Sequence, residues 1–178
     1  MSAPLSQEQR IVHFLNRTSF GPTRDDIQRA ARIGIRAYLD EQLAPERIPD
    51  HSADNKVAGL KTMRLDSREL IELYPQPRAQ RQMSGMAMQS MEGPRVVILE
   101  LQQAKLLRAL YSNRQLYEVM VDFWSNHFNI FAAKGANRWL TTAYDRDTIR
   151  PLALGKFKDL LVATAKSPAM LFYLDNWM

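Results

Sequence analysis

Residues 94–128 read PRVVILELQQAKLLRALYSNRQLYEVMVDFWSNHF, and this stretch decides the fold class. Pro94 suits the first turn of a helix, and the residues after it repeat apolar side chains at helical spacing: Val96, Leu99, Leu106 and Leu110. The spacing predicts a central helix that buries this stripe in the core. A second helix, with Asn113 as its predicted N-cap, has a wide apolar face that ends in the aromatic run at 123–128. We expect the two large faces to pack together.

Helix signals outnumber strand signals in the rest of the chain. Ser6 with Gln9 and Thr23 with Asp26 form capping-box pairs, and further helices are predicted over 34–43, within 54–74, near 147 and after 155. A last helix is predicted from 168, with Ser167 as its N-cap and Pro168 at its first position. No sustained run alternates with a period of two. The pattern predicts an all-α, irregular multi-helix domain of roughly seven to nine helices. One short loop or hairpin near 134–139 would expose Arg138 and Trp139.

Composition indicates one folded domain over residues 1–178, since 46% of the residues are hydrophobic and 24% are charged. The absence of cysteine excludes disulfides, thiolate catalysis and cysteine-ligated zinc or iron–sulfur centres. No haem or nucleotide-cofactor motif occurs, and the sequence leaves the identity of any cofactor open. The first residues lack the pattern of a signal peptide, and no apolar run reaches the roughly 18 residues of a membrane span.

The segment 75–94 differs from the rest, with four methionines among Gln, Ser and Gly. It is predicted to be a Met-rich loop within the domain. Because methionine adapts to irregular apolar surfaces, a loop that covers a partner or substrate is the alternative.

The net charge of +5 raises the question of anionic partners. Basic and acidic residues are interleaved along most of the chain, which is typical of solvated helix faces and disfavours nucleic acid. The most basic stretch, 134–158, makes Arg138 and Arg150 candidate anion ligands, against a plain basic surface. His13 and Arg17 lie one helical turn apart and form a second candidate pair, against an ordinary surface pair.

Five blocks identify a family resemblance: HFLNRTSFGP at 13–22, FWSNHF at 123–128, IRP at 149–151, LGKF at 154–157 and PAMLFYLDN at 168–176. In this order they resemble the bacterial domain of unknown function 1800 family, of which the chain would be the N-terminal portion. Members are much longer, and their next block is a helix rich in carboxylates. The resemblance therefore implies a fragment of a larger helical protein, whose first partner is the missing C-terminal region.

The apolar character of 168–178 agrees with that expectation, since a helix that is apolar nearly all round needs a covering layer. Self-association is the alternative, in which a second copy of the chain buries the apolar surface of 168–178. The resemblance also implies export to the periplasm or envelope, and a co-encoded exported partner, although this chain shows no signal peptide.

Two functions remain open after the resemblance. In the first, the protein is an exported, hydrolase-like enzyme with a catalytic site formed by Asn126, His127, Asp175 and the missing carboxylates. In the second, it is a non-enzymatic helical scaffold or binding protein, and His127 is a core-edge residue on an aromatic stripe. Whether a metal binds is also open. A mixed site of His127, His13, Asp175 and carboxylates of the missing block is preferred to a three-histidine site, which would need His51, in a proline-flanked loop.

Overall fold

The computed structural model describes residues 5–76 and 93–177. In these ranges the chain forms ten α-helices, short 3₁₀ turns and no strand, which confirms the all-α prediction. The helices are α1 (Gln7–Thr18), α2 (Arg24–Ile33), α3 (Ile35–Gln42), α4 (His51–Ala58), α5 (Ser67–Leu73), α6 (Arg95–Tyr111), α7 (Gln115–His127), α8 (Asn137–Ala143), α9 (Phe157–Lys166) and α10 (Pro168–Tyr173). The Met-rich loop predicted at 75–94 lies almost entirely outside the described residues.

The predicted helix starts at Ser6, Thr23 and Ser167 are confirmed. Ser6 and Thr23 each close a capping box, and the Ser167 hydroxyl accepts a hydrogen bond from the amide of Met170 at 3.2 Å. The prediction for Asn113 is wrong. The N-cap of α7 is Arg114, which makes no side-chain cap bond, while Asn113 Nδ2 donates to the carbonyl of Pro49 at 2.9 Å.

The buried face of α6 differs from the predicted one. Leu99, Leu106 and Leu110 are 48%, 60% and 65% exposed, whereas Val97, Leu101 and Ala104 are buried. The helix contacts α4, α8 and the 3₁₀ turn Lys61–Arg64. Apolar residues occur on both sides of this helix, and its packing partners select the side that contains the small Ala104. Three of the four residues predicted to be buried therefore face outward, and only Val96 packs against the core.

Two other segments also depart from expectation. The region 54–74 divides into the end of α4, a 3₁₀ turn and α5, because Gly59 ends α4 and Asp66 caps a new helix. Residues 137–143 form α8 rather than an exposed loop or hairpin. Trp139 is buried there, 6% exposed, and its Nε1 donates to the carbonyl of Tyr74 at 2.9 Å. Because of these additional breaks, the described residues form ten α-helices, more than the predicted seven to nine.

Four apolar clusters hold the helices together. One joins α1, α2 and α3, another joins α4 to α6, and a third joins α5, α6 and α8. The largest packs α7, α9 and α10 around Tyr144 and Ile149. The chain segment after α8 therefore lies at the centre of the C-terminal half.

Helix α10 is shorter than the predicted apolar helix, because it ends at Tyr173 and the chain then turns. Asp175 adopts a left-handed conformation with φ of 59°. Leu174 and Trp177 are exposed, and Trp177 stacks on Phe172 with ring centroids 5.7 Å apart. In the described ranges, none of the helices has the length and apolar character that a bilayer crossing requires.

Candidate functional site: charged residues beside a π-helical turn

A π-helical turn, Tyr144–Ile149, directly follows α8. Such turns are rare and occur frequently at functional sites. Arg146 Nη1 anchors this one to the N-terminal half, donating to the carbonyls of Met63 and Leu65 at 3.0 Å each. The turn thereby holds Asp145 and Arg150 at fixed positions against α6 and α7.

Arg150 and Glu118 form a buried, bidentate ion pair. Nη1 of Arg150 donates to Oε2 of Glu118 at 2.9 Å, and Nη2 donates to Oε1. Their side chains are 11% and 7% exposed, so both charges are largely shielded from water. Burial alone would lower the pKa of Arg150, but the hydrogen bonds and charge of Glu118 raise it. Tyr117 adds support, since its hydroxyl donates to the carbonyl of Arg150 at 2.8 Å.

A second ion pair joins Lys105 of α6 to Asp145 in the π-helical turn. Nζ of Lys105 lies 2.9 Å from Oδ1 of Asp145, whose side chain is 3% exposed. Neither carboxylate oxygen accepts a hydrogen bond of good geometry from the described residues. The lysine therefore balances the charge of Asp145 without satisfying its hydrogen-bonding capacity.

Arg108, one turn after Lys105 on α6, has no such partner. Its Nη1 is buried, and no hydrogen bond or ion pair joins the guanidinium to the described part of the chain. Burial, followed by the charge of Arg150, lowers the pKa of Arg108. We define the charge cluster as Lys105, Arg108, Glu118, Asp145 and Arg150. It contains three cationic side chains and two carboxylates, so one positive charge is uncompensated.

A cleft of about 320 Å³ opens beside the charge cluster, and this volume is in the range of small-molecule sites. Its lining combines charged and apolar residues: Phe20, Lys105, Leu106, Ala109, Glu118, Val121, Asp122 and Arg150. A larger groove, about 1270 Å³, runs between the N-terminal helices and the end of α6. The cleft and the groove share Phe20, Leu106 and Ala109, so they adjoin.

The predicted catalytic residues Asn126 and His127 are exposed at the end of α7. The imidazole of His127 lies among the rings of Phe123, Trp124 and Phe128, at centroid distances of 6.2, 5.7 and 4.7 Å. Nδ2 of Asn126 donates to the carbonyl and carboxylate of Asp122, one turn earlier, at 2.9 and 3.2 Å.

The third predicted catalytic residue, Asp175, pairs with Lys134. Nζ of Lys134 lies 2.8 Å from both oxygens of the carboxylate. Over residues 5–76 and 93–177, no hydrogen bond or ion pair connects Asp175 to His127 or Asn126. The same ranges contain no group of three or more histidine and carboxylate side chains placed to hold a metal ion.

The four predicted anion ligands are also dispersed. His13 and Arg17 are exposed on α1, and no ion pair joins them to other described residues. Arg138 Nε donates to the carbonyl of Gly135 at 3.0 Å, and its guanidinium lies over Trp139 at 5.5 Å. Arg150 alone of the four belongs to the charge cluster.

The sequence did not single out the other members of the cluster. Lys105 and Arg108 interrupt the strongest apolar segment of the chain, and Glu118 is buried beside Val121 on α7, on the side away from the predicted apolar face. A charged residue inside an apolar helix face is the signal that could have found Lys105 and Arg108, because such a residue needs a buried partner. Asp145 has no comparable signal, since its burial depends on the π-helical turn.

The described residues thus form an irregular all-α fold, in which a π-helical turn positions the residues of a buried charge cluster. It belongs to the family described as protein of unknown function (DUF1800), whose family model matches residues 13–178. This match confirms the family resemblance. Comparison with curated proteins and with solved structures gives no match.

Proposed function

We propose that this part of the protein is a binding module that holds a basic amphipathic helix of a partner protein in the groove along α6. The main support for this proposal is the solvent-exposed apolar stripe of α6, where Leu106 and Leu110 are 60% and 65% exposed and line that groove. Single exposed leucines are ordinary, but an apolar stripe that borders a groove is typical of an interaction surface.

The spacing of this stripe suits a helical partner. Leu99, Leu106 and Leu110 follow one another at intervals of seven and four residues, which places them on one side of α6. At a rise of 1.5 Å per residue, the stripe is about 16 Å long, and its end at Leu106 and Leu110 lines the groove. A helix with apolar residues at i, i+3, i+4 and i+7 presents a matching face.

The charges around the groove favour a basic partner. The chain as a whole has a net charge of +5, but carboxylates outnumber guanidinium groups in the lining of the groove. The four carboxylates and two guanidinium groups belong to Asp25, Asp26, Asp40, Glu41, Arg29 and Arg47. Two of the carboxylates are paired with arginines, Glu41 with Arg29 at 2.6 Å and Asp40 with Arg36 at 3.2 Å, and Asp25 and Asp26 have no ion pair with the described residues. The local excess of negative charge attracts lysine and arginine side chains that flank the apolar face of a partner helix.

Two synthetic helices with the same leucine pattern test the proposal, one with lysine and one with glutamate at its polar positions. Fluorescence anisotropy should show the lysine peptide binding at least about tenfold more tightly than the glutamate peptide. Leu110→Glu should weaken binding of the lysine peptide, because it replaces an apolar contact of the groove with a charge that the apolar face of the helix would bury. Leu73→Glu is the matched control, since Leu73 is 54% exposed on α5 and does not line the groove. Equal binding of the two peptides, or equal loss in both variants, would overturn the proposal.

The natural partner that the resemblance implies is a co-encoded exported protein. The C-terminal region of the same protein is the competing occupant. A longer chain that no longer binds the lysine peptide would identify that region as the occupant, whereas retained binding would leave the groove for the exported partner.

Export and hydrolase-like activity are supported by the family resemblance alone. Fractionation of the cells that encode the protein tests export. Metal analysis of the full-length protein tests the enzyme hypothesis, which expects stoichiometric metal that is lost in His127→Ala.

A further inference from the structure

We propose that the cleft beside the charge cluster binds a small organic carboxylate, whose charge is held by Lys105 and Arg150 and whose apolar body lies against Phe20 and Leu106. The cleft adjoins the groove, but this inference is independent of the proposed partner helix. It rests on the charges and donors of the cleft itself.

The charge balance points to an anion. Glu118 neutralises Arg150 and Asp145 neutralises Lys105, but Arg108 has no partner among the described residues. Leaving a guanidinium partly buried and unpaired is costly. Arg108 does not line the cleft itself, but its charge acts on Arg150 and Glu118, which do, so a monoanion bound in the cleft offsets the surplus charge of the cluster.

The donors for such an anion are already in place. A guanidinium has five N–H donors, and the carboxylate of Glu118 accepts hydrogen bonds from two of them. The ammonium of Lys105 has three donors and one carboxylate beside it, and its side chain is 34% exposed. Both cationic residues line the cleft. A carboxylate there can therefore accept hydrogen bonds without breaking either ion pair.

The remaining lining selects the class of anion. Four apolar side chains form part of the wall: Phe20, Leu106, Ala109 and Val121. They suit a ligand with an apolar body. Two carboxylates, Glu118 and Asp122, also line the cleft, and they repel a dianion more strongly than a monoanion. An apolar monocarboxylate fits these features better than inorganic phosphate does.

Calorimetric titration of the full chain with hexanoate, hexanol and inorganic phosphate at constant ionic strength tests the ligand class. We expect saturable binding of hexanoate, with hexanol and phosphate at least about tenfold weaker. Equal binding of hexanol would overturn the role of the cations. Equal binding of phosphate would show unselective attraction of anions.

Two arginine variants on α6 test the role of the uncompensated charge. Arg108→Met should raise the melting temperature without ligand and weaken hexanoate binding about tenfold. Arg95→Met is the matched control, because Arg95 is exposed at the start of the same helix, and should change neither quantity. A lower melting temperature for Arg108→Met, or unchanged hexanoate binding, would contradict the inference. Leu110→Glu should retain hexanoate binding, so a failure of the partner-helix proposal is distinguishable from a failure here.

Discussion

Replacing each member of the Glu118–Arg150 pair by methionine should destabilise the fold unequally. Both side chains are nearly buried and joined by two hydrogen bonds, so removing either one leaves the other charge without its direct partner. Breaking such a pair typically costs about 3–5 kcal/mol of unfolding free energy. Because Arg108 lies nearby, we expect Glu118→Met to cost more unfolding free energy than Arg150→Met.

Arg150→Met leaves the carboxylate of Glu118 near the uncompensated charge of Arg108, which partly replaces the lost cation. We expect a cost of about 3 kcal/mol. Glu118→Met instead leaves Arg108 and Arg150 as two guanidinium groups whose charges repel each other. Its expected cost is about 5 kcal/mol. The double methionine variant should lie within roughly 1 kcal/mol of the original chain, because it removes both charges and keeps side-chain volume.

Urea unfolding followed by circular dichroism measures these differences, with the slope against urea checked for each variant. Arg36→Met is the control, because Arg36 and Asp40 form an exposed pair with side chains 88% and 54% exposed. It should cost at most about 0.5 kcal/mol. Single variants within 1 kcal/mol of the original chain, or a double variant as unstable as the worse single, would refute this account of the pair. A greater loss for Arg150→Met than for Glu118→Met would refute the role assigned to Arg108.

Three other predictions concern separate parts of the fold. Trp124→Ala should lower the free energy of unfolding by about 3 kcal/mol, since it empties a half-buried site and removes the 2.9 Å hydrogen bond to the carbonyl of Ala153. Arg138→Ala is the control and should change it by at most about 0.5 kcal/mol, so equal melting temperatures of the two variants would contradict the prediction. Burial first, and then the charge of Asp26, raises the pKa of Tyr38 from 10.0 to about 12, so its contribution to stability is complete below pH 10 and is lost as pH rises toward 12. Urea unfolding across this interval should be less pH-dependent in Tyr38→Phe, and an identical dependence would exclude the tyrosine as the cause. The self-association predicted for 168–178 is measured by sedimentation at several concentrations, where a concentration-independent monomer would count against it.

Local signals were sufficient for the all-α class and for several helix ends. Ser6, Thr23 and Ser167 cap helices as predicted, because a cap depends on residues within three positions of each other in the chain. The family was also readable from short motifs, and the family model confirms it over residues 13–178.

Tertiary packing decided which face of α6 is buried. Apolar residues surround much of this helix, so periodicity alone could not choose between the Leu99 side and the Ala104 side. The same limit applies to Trp139, which the sequence placed in an exposed loop and which packs against Leu70 and Val97 in the structure. Helices α4 and α8 supply the contacts that select the buried face of α6, and helices α5 and α6 supply those that bury Trp139.

The candidate site depended on tertiary structure even more strongly. The sequence showed that Arg150 lies in a basic stretch and that Asn126 and His127 lie in an aromatic one. It did not show which charged side chains form ion pairs in the folded protein. Glu118 and Arg150 are 32 positions apart, and only the packing of α7 against the π-helical turn places their charges in contact. Long-range pairing of this kind has no local pattern, because it depends on where two buried faces coincide after folding.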